Sequence, residues 1–294
     1  MFYRRKIILG LLELLNNNVG KIRLQKLLFL YAQRKEKPEY EFIPYKFGCY
    51  SYSAKADLRT MVKKGLLSED EKYYYNKETG SYFDQLKVKD QKLLKQTVSD
   101  YNKMTTNALI KHTYLNFPFY AINSTIAEDV LSEKYFHRIE EARPNDITTT
   151  LFTIGYEGIS LENYLLKLVK NNIKLLVDVR RNARSMKFGF SKTLLQKYCN
   201  SLGISYKHIP EVGIVSKKRR NLNSQEDYDE LFAEYRNTTL KETKDAQLKI
   251  LQLLNEYNRI ALTCFEAEPC QCHRTHLANS LYESPEFSYP LIHL

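Results

Sequence analysis

Eleven residues near the end of the chain crowd reactive side chains together: Cys264-x-Glu266-x-x-Pro269-Cys270-x-Cys272-His273-Arg274. The segment reads as a strand end, a short loop and a helix start, where backbone N–H groups and the positive end of the helix dipole favour an anion. A thiol at Cys272 would be drawn toward the thiolate there, and Arg274 could clamp a phosphate or carboxylate through paired donors. Three chemistries suit these residue types. Cys264, Cys270, Cys272 and His273 are soft donors that could hold zinc, but adjacent Cys272 and His273 rarely both reach one ion, so no residue is assigned to a metal. Cys272 or Cys264 could instead be a nucleophile, with His208 or His273 as base and Glu266 or Asp178 as orienting carboxylate. The third chemistry needs no covalent step: Arg180, Arg181, Arg184 and Arg274 hold a phosphate or nucleotide while Asp178 and Glu266 move protons. It is preferred because it explains why arginine outnumbers lysine just after Val179. Two bland readings compete with it: Asp178 and Arg180 as an ion pair supporting loops, and Cys264 as a small buried hydrophobe.

The elements that must position these residues follow from periodicity. From Leu151 the pattern alternates strand and helix: strands at 151–154, 175–179, 204–209, 260–265 and 289–293, helices at 161–169, 193–202, 226–235, 244–257 and 273–282. Such alternation implies a Rossmann-like parallel sheet with helices on both faces, and ligands bind outside the carboxyl ends of its strands. Gly155 and Tyr156 follow the first strand, Asp178 to Arg184 the second; His208 lies near the end of the third, and Cys264 and Glu266 close the fourth. All converge on one edge. Gly155 would let backbone approach a ligand closely. The residues after it do not make G-x-G-x-x-G, which argues against a dinucleotide site.

The segments Thr153-Ile154-Gly155-Tyr156, Val177-Asp178-Val179-Arg180, Tyr206-x-His208-x-Pro210 and Cys264 to Arg274 together resemble the bacterial domain of unknown function 488 family. The resemblance covers nearly all of the second half and implies a Rossmann-like fold with a shared edge site, but no settled reaction. The opening segment, with Phe42 to Ser51 and Asp57-Leu58-Arg59, resembles the winged-helix-like modules that accompany such domains.

In the first half, Leu24, Leu27, Leu28 and Tyr31 make one helical stripe, and Ala54, Leu58, Met61 and Val62 another. A hairpin signature follows at Leu66 to Ser68 and Lys72 to Tyr75. Three helices and a hairpin are the order of a winged helix, whose third helix would offer Lys55, Arg59, Lys63 and Lys64 to nucleic acid. The aromatic stretch 41–51 should be an ordered loop closing the small core. The expected division is a winged-helix-like domain at 1–83, a helical connector at 84–147 and the α/β domain at 148–294.

Bulk composition narrows the class. With 294 residues, 43% hydrophobic and 27% charged, the chain has a normal globular balance. Arg4-Arg5-Lys6 before an apolar run imitates a secretory signal, but Gly10 and Glu13 interrupt it, and no run approaches membrane-spanning length. Five cysteines, an odd number, suit thiol or metal chemistry in the cytoplasm better than a disulfide framework. A net charge of +11 favours a polyanionic partner, with DNA the leading expectation. The expected function is a hydrolase or transferase acting on nucleic acid or a nucleotide. The alternative is a non-catalytic DNA-binding regulator whose α/β domain senses a small anion. No cofactor or oligomeric state can be read from the residues.

Overall fold

Apolar stripes at helical spacing and short runs of β-branched and aromatic residues set the elements of two units, Met1–Arg143 and Pro144–Leu294. The computed structural model describes residues 1–77, 80–215, 222, 224–285 and 287–294. The first unit opens with α1 (Tyr3–Leu14), β1 (Asn18–Gly20) and α2 (Lys21–Ala32), and continues with β2 (Ile43–Tyr45), β3 (Gly48–Tyr50) and α3 (Tyr52–Lys63). The hairpin β4 (Leu67–Glu69) and β5 (Tyr73–Asn76) follows, and β5 pairs antiparallel with both β4 and β1. The stripes expected for the second and third helices are buried: Leu24, Leu27, Leu28 and Tyr31 on α2, and Ala54, Leu58 and Met61 on α3. Ser51 caps α3 by accepting from the Ala54 N–H. The stretch expected to be a loop is a hairpin of two three-residue strands, and its Phe42, Ile43 and Cys49 are buried.

The helices expected to form a connector belong instead to the first unit. They are α4 (Val88–Tyr101), α5 (Thr106–Asn116), α6 (Ala127–Val130) and α7 (Glu133–Glu141). Leu94 of α4 and Leu109 of α5 are fully buried in the same core cluster as Leu24 and Leu27 of α2. A small domain of three helices and a hairpin leaves apolar helix faces open, and covering them stabilises it.

The second unit contains β6 (Thr150–Gly155), α8 (Leu161–Lys170), β7 (Leu175–Asp178), α9 (Lys192–Asn200) and β8 (Ser205–His208). It continues through α10 (Gln225–Asn237), α11 (Thr239–Glu242), α12 (Lys244–Tyr257), β9 (Arg259–Cys264), α13 (His273–Tyr282) and β10 (Leu291–His293). The five strands lie in the order β10-β6-β9-β7-β8, and every pairing is parallel. Leu151, Val177 and Leu262 pack in one core cluster with Leu254 of α12 and Leu277 of α13. Tyr164 of α8 covers the opposite face and donates its hydroxyl to Thr263 at 2.8 Å. Both faces are therefore sheathed by helices, as a parallel sheet requires. The registers Gly155 with Cys264, Asp178 with Thr263, and Asp178 with His208 bring four strand ends to a single edge. Among the described residues no helix is long and apolar enough to cross a membrane.

Candidate functional site

Parallel pairing puts the chemistry-bearing strand ends side by side, and the loop after β9 folds back over them. Gly155 makes room for that loop. A Cβ built at Gly155 would lie 1.9 Å from the Glu266 carbonyl oxygen, so the missing side chain admits the protein's own backbone and not a ligand. The N–H groups of Tyr156 and Glu157 both donate to the Phe265 carbonyl, fastening the loop to the end of β6.

Asp178 and Arg180 do not take the roles expected for them. Asp178 is fully buried, and its carboxylate accepts from Arg180 Nε at 2.8 Å, Arg180 Nη2 at 2.5 Å and the Tyr206 hydroxyl at 2.6 Å. Arg180 spends its remaining donor on the Tyr156 hydroxyl and the Phe190 carbonyl. Burial alone would lower the Arg180 pKa, but the bonds and charge of Asp178 outweigh it and hold the guanidinium more firmly protonated. Burial, and then Asp178, raise the Tyr206 pKa and keep its hydroxyl a donor. The pair shapes the turn after β7, and Arg180 also lines a cleft at the sheet edge. Tyr156 is buried and stacked on Phe190 at 4.3 Å, and it too lines the edge cleft. His208 donates through Nε2 to the Arg180 carbonyl at 2.8 Å and lines an adjoining cleft with Lys192 and Thr193, one that shares Arg181 and Arg184 with the edge cleft.

The edge itself opens as a cleft of about 330 Å³ whose wall includes Arg181, Arg184, Cys264, Phe265, Glu266 and His273. Arg181 and Arg184 are exposed, and Arg181 also donates to the Pro210 carbonyl at 3.2 Å. The Phe265 ring, 42% exposed, was not anticipated from the sequence as a site residue, because it sits between two more reactive neighbours.

At the floor of the cleft four donors converge. The ligand atoms of Cys264, Glu266, Cys272 and His273 all lie within 4.8 Å of one another. Both thiols donate to Glu266 Oε2, Cys264 at 3.0 Å and Cys272 at 2.9 Å. The His273 Nε2 lies 3.1 Å from the Val179 carbonyl, which can only accept, so Nε2 carries the proton and Nδ1 presents its lone pair to Cys264 Sγ at 3.5 Å. The spacing argument against Cys272 and His273 meeting does not describe this geometry. Cys272 caps α13 in extended backbone, φ −132 and ψ 132, and His273 begins the helix, so the chain turns between them. Cys270 is exposed and outside the group; Glu266 takes the place expected for it.

Cys272 is 0% exposed and does not line the cleft, which removes it as a nucleophile toward a substrate there. Burial pushes its thiol pKa well up, Cys264 and Glu266 push it further, and Arg274 opposes them, so the helix start does not produce the expected thiolate. Arg274 is no surface clamp. It is 1% exposed, donates through Nη1 to the Glu266 carbonyl and through Nη2 to the Ala267 carbonyl at 2.9 Å, and its Nε has no partner among the described residues.

Residues 160–281 match the family model described as Domain of unknown function DUF488. The DUF488 segment holds all four converging donors, the Asp178–Arg180 pair, Arg181, Arg184, His208 and Arg274, while Gly155 and Tyr156 precede it. No curated protein matches the chain. The basic residues of α3 lie far outside the DUF488 segment. Lys55 is half-buried and donates to the Tyr74 hydroxyl at 2.7 Å, with burial lowering its pKa, whereas Arg59, Lys63 and Lys64 are exposed.

Proposed function

We propose that the protein is an enzyme of the hydrolase or transferase type that acts on a nucleotide or nucleic acid in the edge cleft. The observation that carries this reading is the composition of one wall: exposed Arg181 and Arg184 share the cleft with a half-exposed Phe265 and the Glu266 carboxylate. Guanidinium groups on a cleft rim bind phosphate through paired donors, an aromatic face stacks on a base, and a half-buried carboxylate moves a proton. Asp178 drops out as an acid–base group, and Glu266 carries that role alone. The net charge of +11 is in keeping with a polyanionic substrate.

The first unit fits a supporting role as a nucleic-acid reader, DNA being favoured. The winged-helix reading is supported by the order helix, strand, helix, helix and hairpin, with the first strand paired to the returning hairpin strand and an extra hairpin, β2–β3, inserted between the second and third helices. Arg59, Lys63 and Lys64 would meet phosphates, while Lys55 holds the hairpin.

The test is turnover by the full chain of nucleotides and of single- and double-stranded DNA and RNA. Glu266→Gln is expected to lower kcat by about 100-fold, and Arg184→Ala to raise KM by about tenfold with kcat little changed. Saturable binding of these ligands with no product, at enzyme concentrations that would reveal slow turnover, overturns the enzyme reading in favour of a ligand-sensing regulator.

A further inference from the structure

We infer that Cys264, Cys272 and His273 bind a zinc ion at the floor of the cleft, with Glu266 as a fourth, exchangeable ligand on the cleft side. This goes beyond the reading above and stands whatever substrate the cleft takes; Glu266 moves a proton there only once it has left the ion. Two thiolates and an imidazole select a soft or borderline ion over magnesium or calcium. The spacing fits. With zinc–sulfur and zinc–nitrogen bonds of about 2.3 and 2.0–2.1 Å, tetrahedral geometry puts sulfur and nitrogen about 3.5 Å apart. Cys264 Sγ and His273 Nδ1 are separated by 3.5 Å. The His273 ring is already set for ligation, since its Nε2–H bond to the Val179 carbonyl fixes the tautomer that turns Nδ1 to the sulfurs. The two S–H protons that now hold Glu266 are those the metal replaces; each passes to solvent as its sulfur–zinc bond forms.

Arg274 is 1% exposed and holds the Glu266 and Ala267 carbonyls, so it fixes the loop that carries Glu266; because two protons leave as the ion enters, the net charge of the group beside it stays at minus one. Of the four donors only Glu266 is not fully buried, so it is the ligand that water or a substrate oxygen can displace, leaving the three-ligand open site typical of catalytic zinc.

The test uses the full chain, reconstituted with zinc, desalted and assayed by elemental analysis, with cobalt as a spectroscopic probe. About one zinc per chain is expected, falling below about a tenth in Cys264→Ala, Cys272→Ala or His273→Ala, and unchanged in Cys270→Ser. Glu266→Gln should retain the ion with affinity weakened by about tenfold to 100-fold. The wild-type chain loaded with cobalt should show thiolate-to-metal charge transfer and the intense visible bands of a tetrahedral site, a result independent of how any variant folds. A wild-type chain that leaves cobalt in an octahedral, sulfur-free environment overturns the assignment, as does loss of zinc from Cys270→Ser. Unchanged affinity in Glu266→Gln overturns the fourth ligand. All these readouts are taken without substrate, so they succeed or fail separately from the turnover assay.

Discussion

Of the three arginines buried among the described residues of the second unit, Arg180 and Arg274 follow strands at the site edge, and their surroundings differ. Arg180 has a complete local partner: two parallel bonds to Asp178, a tyrosine hydroxyl and a carbonyl. Among the described residues Arg274 donates only to carbonyls of the loop it anchors, and one of its nitrogens is unsatisfied. Both follow a strand at the same sheet edge, and both looked from the sequence like anion-binding groups. The comparison teaches that a buried arginine after a strand can close an ion pair or tie down a loop's carbonyls, and that residue type alone does not say which.

The sharpest way to break that contrast is to open the closed pair. Asp178→Asn strands Arg180 and should lower unfolding free energy by about 3–5 kcal/mol in urea melts. A loss under about 1 kcal/mol would show that Arg180 finds solvent or another acceptor. Next in size, chelating the proposed zinc should lower stability by about 3 kcal/mol relative to protein at hundredfold excess over Kd, measured as a shift in Tm. Gly155→Ala tests the frame of the open site: the added methyl meets the Glu266 carbonyl, and about 1–3 kcal/mol of stability should go, with weaker zinc retention. Arg274→Met then sharpens the comparison: the Glu266 and Ala267 carbonyls lose their donors, and about 1–3 kcal/mol of stability should go in the metal-free and the zinc-loaded chain alike. The smallest effect is in the first unit, where Lys63→Ala should leave stability within about 0.5 kcal/mol while lowering the salt dependence of DNA binding by about one phosphate contact.

The α/β layer was legible because its strands are continuous apolar runs separated by amphipathic helices, and parallel pairing then fixes one common edge without further information. The strands β1, β2 and β3 were hidden because three residues are too few to show alternation. The helices from Val88 to Glu141 looked like a bridge because their charged faces dominate the sequence, whereas Leu94 and Leu109 on the other side decide where they pack. At the site, residue types could be read and partnerships could not. Asp178 and Arg180 are two positions apart at a strand end, a spacing equally compatible with a pair or with two separate tools. The Gly155 contact depends on a loop more than a hundred residues away. Cys272 and His273 were judged by their adjacency, but the change from extended to helical backbone between them decides where their side chains meet.

The converging donors come from one stretch of ten residues, Cys264 to His273, while the rest of the sheet contributes a carbonyl at Val179 and a gap at Gly155. Gathering groups so near along the chain forfeits little loop entropy compared with joining distant strands. The order in which the polypeptide acquires its parts is thereby loosened: this corner can knit itself together before the five strands have found their neighbours.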